Sequence, residues 1–316
     1  MTSGDRIAPS ALTSPPSRLA YSIWVQLRPK QWLKNLACFA ALLFSGRLSE
    51  VQAVFLAVLA FCGFCAASSF AYLINDYLDR HSDRLNPRVA HRPIASGDLS
   101  PAVAGTMAVF LLAIAFSIST WLGTACLVDI SAYLVLNLLY SSVLKRIAIL
   151  DAVCIAIGFV LRTTYGTHAI QVPLSAPISL CMFFLAMFLC FAKRKSEINN
   201  LGDEYHTIRP VLKDYQHEFL NILFTVSASL TIMCYAFATL ATHKNPTLVL
   251  TTIPVVYCVA RYILLTIDHS RGDTPEELFV SDRGLWLGTL VWAALCIAIL
   301  YAEINIFARF DEWKWP

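Results

Sequence analysis

Residues 51–74 read VQAVFLAVLAFCGFCAASSFAYLI, and residues 75–83 continue NDYLDRHSD. The first stretch has no charged side chain and is longer than the roughly 20 apolar residues a helix needs to cross a bilayer. The second places Asp76, Asp79 and Asp83 at i, i+3 and i+7, one face of the same helix if it continues past the apolar part. A spanning helix that delivers three carboxylates to one membrane face decides the class of fold.

The rest of the chain follows that lead. Candidate spans lie at about 33–48, 51–74, 101–122, 124–142, 147–166, 176–192, 217–240, 247–267 and 284–307, the first of them short and readable also as tilted or partly interfacial. Several ends carry breakers, among them Gly46, Pro101, Gly123, Pro173, Pro177, Pro246 and Gly284. The expected fold is an all-α, polytopic integral membrane bundle of about nine transmembrane helices. Composition agrees: 57% of the 316 residues are hydrophobic and 14% charged, against about 45–50% and 25% in soluble domains. Mean hydropathy is +0.61. Such a chain lacks the polar surface of a soluble globule, which excludes a cytosolic enzyme, a disordered protein, a disulfide scaffold and a nucleic-acid binder. The ten cysteines all lie in apolar stretches and read as small buried hydrophobes. Cys62-x-x-Cys65 has no partner pair and reads the same way.

Residues 1–20 are rich in Ser, Pro and Thr and have no apolar core. They are expected to be a disordered tail, not a signal peptide, leaving 21–316 as one catalytic membrane domain. Residues 17–31 mix apolar and basic side chains and read as an interfacial amphipathic helix. Sorted by loop, 18 of the 24 Lys and Arg fall on the side of the N-terminus and of the 75–100, 143–146, 193–216 and 268–283 loops. The positive-inside rule then sets the N-terminus and the charged loops in the cytoplasm of a cell inner (plasma) membrane.

The charges on that face define the chemistry. Three convergent carboxylates repel one another unless a cation lies between them, and hard oxygen ligands suit Mg²⁺, which usually bridges carboxylates to substrate phosphates. Asn75 adjoins them. Arg80, Arg84, Arg88 and Arg92 follow, and forked guanidiniums suit phosphate oxygens, with Arg92 of His91-Arg-Pro-Ile the strongest candidate. Arg84 and Arg88 read equally well as topology signals. At the entry of the first span, Lys34 and Asn35 are expected at the level of the aspartates, although Lys34 also fits a snorkelling role. Tyr140 and Lys145 end the fourth span. Asp151 and Arg162 lie in the fifth, about 16 Å apart along a helix, so each needs a partner other than its neighbour. Lys193-Arg194-Lys195-Ser196-Glu197 closes the sixth span as a second, basic patch, with Glu197 placed to orient a cation or join a metal shell. Thr274-Pro275-Glu276-Glu277 resembles a helix start in the acidic last loop.

Asn75-Asp-x-x-Asp-x-x-x-Asp83 after the second span resembles the UbiA superfamily of membrane prenyltransferases, over about residues 24–300. Most members carry a second Asp-x-x-x-Asp after the sixth span, where this chain has Lys193-Arg-x-x-Glu. Together with Arg28-Pro-x-Gln-Trp-x-Lys-Asn35, His91-Arg-Pro-Ile-Ala-x-Gly97, Tyr140-Ser-x-x-Leu-Lys145 and Pro275-Glu-Glu, this is similar to the decaprenyl-phosphate phosphoribosyltransferase subgroup, whose relatives include actinobacterial wall-arabinan enzymes and rhizobial nodulation proteins. The resemblance implies transfer of a 5-phosphoribosyl group from phosphoribosyl pyrophosphate to polyprenyl phosphate, the first step toward lipid-linked arabinofuranose. It implies Mg²⁺ on Asp76, Asp79 and Asp83. Lys34, Lys193 and Arg194 join these as catalytic residues, and Asn75, Arg80, Arg92, Tyr140, Lys145, Arg162 and Glu197 bind substrate. The subgroup usually has Arg-Ala-x-Ala-Gly-Gly in the fifth span; Arg162-Thr-Thr-Tyr-Gly166-Thr stands here, a departure that bears on the lipid pocket. Two other readings fit less well. A conventional prenyltransferase acting on an aromatic ring would need the second acidic motif. A transporter would show midplane charges and an internal repeat.

Overall fold

The computed structural model describes residues 16–86, 89–201, 210–242, 245–267 and 281–302, with Leu278, Ile304 and Ile306. Residues 1–15 of the expected tail, Arg88, and the 268–277 loop with its Thr274-Pro275 helix start lie outside the described residues.

The described chain is helical. Helix α1 (Pro16–Leu27) leads into a 3-10 helix (Pro29–Phe39) and α2 (Ala40–Phe44). Then come α3 (Val51–Leu85), short α4 (Pro93–Ser96), α5 (Pro101–Leu122), α6 (Thr124–Ser142), a 3-10 turn (Leu144–Arg146) and α7 (Leu150–Ala169). After α8 (Ala176–Leu201) and a 3-10 turn (Pro210–Asp214) follow α9 (His217–Thr242), a 3-10 turn (Pro246–Thr251), α10 (Thr252–Ile267) and α11 (Arg283–Tyr301). Eight of these segments are long and apolar enough to cross a membrane. The protein is a multi-pass membrane protein. Helix α1 starts at Pro16, inside the stretch expected as tail, because Leu19 and Ile23 pack on Leu73, Ile94 and Leu99.

The expected first span, 33–48, is not a transmembrane α-helix. It is the end of the 3-10 helix followed by one turn of α. The longer stretch that contains it nevertheless reaches both levels of the bundle: Arg28 bonds Asp76 near the end of α3, and Arg47 bonds the Ile170 carbonyl at the far end of α7 (2.7 Å). A 3-10 helix rises about 2.0 Å per residue and an α-helix about 1.5 Å. The helical stretch Pro29–Phe44 wound this way extends roughly 30 Å, the thickness of the hydrocarbon core. Eleven residues of 3-10 helix is a long run, and α7 shows what accommodates it. A Cβ at Gly166 would overlap the backbone of Cys38, so only glycine lets the two backbones meet.

Packing is carried by small side chains. Ala53, Ala57, Ala60, Phe64, Ala67 and Ala71 form one buried face of α3, and close approach of helix backbones is the main source of association in lipid. Large apolar side chains face outward instead, as at Val109, Phe110, Val128, Met233 and Leu287. Cys62 is exposed and Cys65 buried, so the two thiols of the Cys-x-x-Cys point apart. The fifth-span departure is also core packing. Tyr165 is fully buried, shares a 2.8 Å hydrogen bond with Ser119 of α5 and lies on Gly63 of α3.

Candidate active site

Helix α3 runs eleven residues past its uncharged part without a break. Asp76, Asp79 and Asp83 therefore emerge on one side of its last turns, and three other segments converge on them. From α1, Gln26 Nε2 donates to Asp76 Oδ2 (2.9 Å). Arg28 follows in the left-handed region (φ 53°) just before Pro29. That turn aims its guanidinium back at α3, where one nitrogen donates to both oxygens of Asp76 (2.6 and 2.8 Å). Arg92, at the N-terminus of α4, donates from one nitrogen to Asp76 (3.1 Å) and Asp83 (2.8 Å). Lys145, on the α6–α7 turn, holds both oxygens of Asp79 (2.6 and 2.7 Å) and reaches Asn75 Oδ1 (3.5 Å). Three carboxylates meet three cations, so the cluster is near neutral.

The structure thus brings together Asn75, Asp76, Asp79, Asp83, Arg92 and Lys145. It does not bring Arg80, which is turned along its own helix onto the Tyr77 carbonyl (2.7 Å) and ring (4.3 Å). Asn35 is also not at the level of the aspartates. It is buried against Ser68 and Cys65, and Ser68 lies eight residues, about 12 Å, deeper along α3. There it accepts from Arg162 Nε (2.8 Å). Arg162 also donates to Gly158 O and Tyr133 Oη (2.7 and 3.0 Å) and lies about 5 Å from the ring centres of Phe64, Tyr133 and Phe159. No carboxylate pairs with it among the described residues. Lys34 is near enough for its charge to act on Tyr133. Arg162 therefore lies below the aspartates, bonded to a tyrosine on which the Lys34 charge also acts.

The second patch differs from expectation. Arg194 is buried (1% exposed) and enclosed by carboxylates: Nε donates to Asp151 (3.0 Å) and Nη1 to Glu197 (2.7 Å). It lies on the buried stripe of α8 that runs through Ala186, Cys190 and Ile198, so it faces the bundle and not the solvent. Lys195 lies over the Phe224 ring, and Lys193 and Glu197 are half-buried. Tyr140 is close enough for its charge state to bear on Arg194. Asp151 and Arg162 do not pair, as their spacing required. The second partner of Asp151 is Tyr215, whose hydroxyl donates to it (2.6 Å). Burial and the neighbouring carboxylate push the Tyr215 phenol well above its ordinary value, so it stays protonated and donates.

Gln26, Arg28 and Tyr215 were not among the expected site residues. Only Arg28 carried a sequence signal, as a basic residue directly before a proline at the membrane entry.

Metal fit rests on the donor set. As the side chains stand, no three acidic, histidine or cysteine groups among the described residues are gathered to hold an ion. The point shared by Asp76 and Asp83 is taken by Arg92 Nη1. That point already suits a positive charge between hard oxygens. Beside it, Gln26 Oε1 is buried without a hydrogen-bond partner. Turning the amide would set its oxygen against the Asp76 carboxylate, so the orphan acceptor is a consequence of that contact. A water on a metal ion is a donor that would satisfy it. The residues present fit a divalent ion once Arg92 changes partner.

Comparison with known proteins agrees with this fold. The profile of the UbiA prenyltransferase family matches residues 35–283. The decaprenyl-phosphate phosphoribosyltransferase of Mycolicibacterium smegmatis is 32% identical over 302 residues, 91% of this chain and 95% of that one. The nodulation protein NoeC of Azorhizobium caulinodans is 31% identical over 176 residues, 55% of this chain and 56% of that one. Among solved structures, a UbiA homolog from Archaeoglobus fulgidus bound to GPP and Mg²⁺ has a TM-score of 0.65 at 20% identity, covering 89% of this chain and 98% of its own. A helical membrane bundle whose third helix ends in spaced aspartates, matched over most of its length by this profile, belongs to the UbiA prenyltransferase family.

Proposed function

We propose that this protein transfers a 5-phosphoribosyl group from phosphoribosyl pyrophosphate to a polyprenyl phosphate. The observation that carries the reading is the chain-length similarity to decaprenyl-phosphate phosphoribosyltransferases, joined to a site that has one acidic cluster and not two. The second patch offers Lys193 and Lys195, with Arg194 tied between Asp151 and Glu197. A donor with a phosphate at each end of a sugar needs a cationic group at its far end, whereas a second acidic motif would repel it. The positive-inside count supports a cytoplasmic site in the plasma membrane, where a water-soluble donor is present.

In this reaction the bond from C1 of the ribose to pyrophosphate breaks, and a bond from C1 to an oxygen of the lipid phosphate forms. The nucleophile is already an anion, so no general base is needed. Positive charge develops on the ribose carbon in an oxocarbenium-like transition state, and the demand on the protein is to stabilise the departing pyrophosphate. A divalent ion of the Mg²⁺ kind, held by Asp76, Asp79 and Asp83, supplies part of that stabilisation when bound. Arg28, Arg92 and Lys145 now neutralise those carboxylates. They exchange partners to the donor's diphosphate oxygens, keeping the local charge low in both states. Lys193 takes the far phosphate. Arg194 acts through Asp151 and Glu197, fixing the end of α8. Lys34 and Arg162, deeper in the bundle, receive the acceptor phosphate, whose hydrocarbon chain then lies among apolar helices. The product would serve as a precursor of lipid-linked arabinofuranose.

The test is direct. Membranes containing the protein are given labelled phosphoribosyl pyrophosphate, Mg²⁺ and polyprenyl phosphate, and label is followed into the organic phase. Lipid-linked label dependent on all three is expected. Transfer of a prenyl group to an aromatic acceptor, with no lipid-linked ribose, would overturn the reading.

A further inference from the structure

The α6–α7 turn contains the most strained backbone near the site. Ile149 has φ 69° and ψ −48°, and Leu150 N–H donates to the Ala148 carbonyl across it (2.8 Å). This is the γ-turn of positive φ, which is rare, and a β-branched residue there is an outlier. Such a conformation persists only where its surroundings impose it. Here one side chain does so from a distant part of the chain. The Tyr215 hydroxyl accepts from Ile149 N–H (2.8 Å) and donates to Asp151 Oδ1 (2.6 Å). Tyr215 is 2% exposed, and its ring is edge-on to Phe191. Asp151 is held from its other oxygen by Arg194. Four residues before Ile149, on the same turn, Lys145 grips Asp79. The turn therefore lies between the two charged clusters, anchored to one by Tyr215 and reaching the other through Lys145.

We propose that Tyr215 is a positioning residue for the transfer: it locks the strained turn and thereby sets Lys145 at the aspartate cluster, where the donor's diphosphate binds. The assignment rests on the proposed function for the identity of the donor, and on the structure alone for the coupling of Tyr215 to the turn. The phenol touches no reacting atom. Its effect travels through one backbone N–H and four residues of chain.

The coupling has a specific test, because glycine adopts positive φ without the steric cost that isoleucine meets. Tyr215→Phe keeps the ring packing and removes both hydrogen bonds. Its turn is expected to relax, raising the KM for phosphoribosyl pyrophosphate about 10-fold while kcat changes less than about 3-fold, a split that reports lost positioning of a binding group. Trypsin cleavage after Lys145 or Arg146 in the purified, folded protein is expected to accelerate. Adding Ile149→Gly to Tyr215→Phe should restore both readouts toward wild type. Two results would overturn the proposal. One is Tyr215→Phe with unchanged KM and unchanged cleavage. The other is a double variant worse than Tyr215→Phe in both, which is what a merely structural tyrosine predicts. If the wild type transfers no phosphoribosyl group, the proposed function fails, and the cleavage rates still decide the role of Tyr215.

Discussion

Replacing Arg194 separates two uses of the same cation. A phosphate-binding arginine and an arginine that ties helices together both look basic in sequence, but they fail differently. In the structure Arg194 makes two charge-assisted hydrogen bonds, to Asp151 and Glu197, and is 1% exposed, while Asp151 is fully buried. Hydrogen bonds to charged groups contribute about 1.5–3 kcal/mol each. Removing one partner of a buried pair costs about 3–5 kcal/mol, because the other charge is left without compensation. Arg194→Met keeps much of the side-chain volume and takes away the charge, so a destabilisation of about 3–5 kcal/mol is expected. Pairing it with Asp151→Asn should cost less than the sum of the two single changes, since the uncompensated carboxylate is then gone. The assay is unfolding of the purified protein in detergent, alongside steady-state kinetics of the folded fraction. If Arg194→Met unfolds at the wild-type midpoint and raises only the KM for the donor, the guanidinium is a phosphate ligand and the structural argument is wrong.

Asp76→Asn retains the shape of a side chain that accepts four hydrogen bonds but leaves Arg28 and Arg92 facing each other; transfer is expected to fall at least 100-fold, measured as lipid-linked label, and full activity would remove Asp76 from the site. Arg80→Ala should change the donor KM less than about 2-fold, because among the described residues its guanidinium contacts only Tyr77. Gly166→Ala should lower the unfolding midpoint by an overpacking cost of about 1–3 kcal/mol, since the added methyl meets the Cys38 backbone. Asp282 caps α11 through Leu285 N–H (2.8 Å), and the Arg261 guanidinium beside it holds its carboxyl below the ordinary value. A group with a depressed pKa in the folded state stabilises above its unfolded pKa and loses that contribution as pH falls through the folded value. The midpoint difference between wild type and Asp282→Ala should therefore be full near pH 6 and shrink on acidification below about pH 4.

The aspartate cluster was legible because it is local. Spacing along one helix fixes which side chains share a face, and the uncharged run before it fixes where that helix leaves the membrane. Lys145 and Arg92 were legible as chemistry, since short turns return them to the same membrane face. Gln26 and Tyr215 were not, because they reach the site from 50 and 64 residues away in sequence, and nothing in their own neighbourhood marks them. The burial of Arg194 was illegible for a different reason. Three adjacent basic residues read as one patch, yet on a helix they point in directions about 100° apart, and only the middle one continues the buried stripe of α8. The first crossing was missed in form for a similar reason. Sixteen residues are short for an α-helix, and hydropathy carries no information on whether a segment winds with 3.0 or 3.6 residues per turn.

That winding bears on the chemistry. The 3-10 segment between Arg28 and Phe39 holds Arg28 at the aspartates at one end and buries Asn35 beside Arg162 in its middle. At about 2.0 Å per residue, the seven residues between these contacts separate them by roughly 14 Å, whereas α-helical winding at about 1.5 Å would give about 10 Å. In the proposed reaction, the longer rise sets Arg162 farther below the donor's diphosphate. A phosphate group and a ribose ring must both fit in that interval for the lipid oxygen to face C1. Gly166 is what permits the winding, because the 3-10 backbone lies directly on it. A residue in α7 with no polar side chain therefore helps to set the distance between Asp76 and Arg162, and under the proposed function its substitution should raise the KM for the lipid acceptor more than that for the donor.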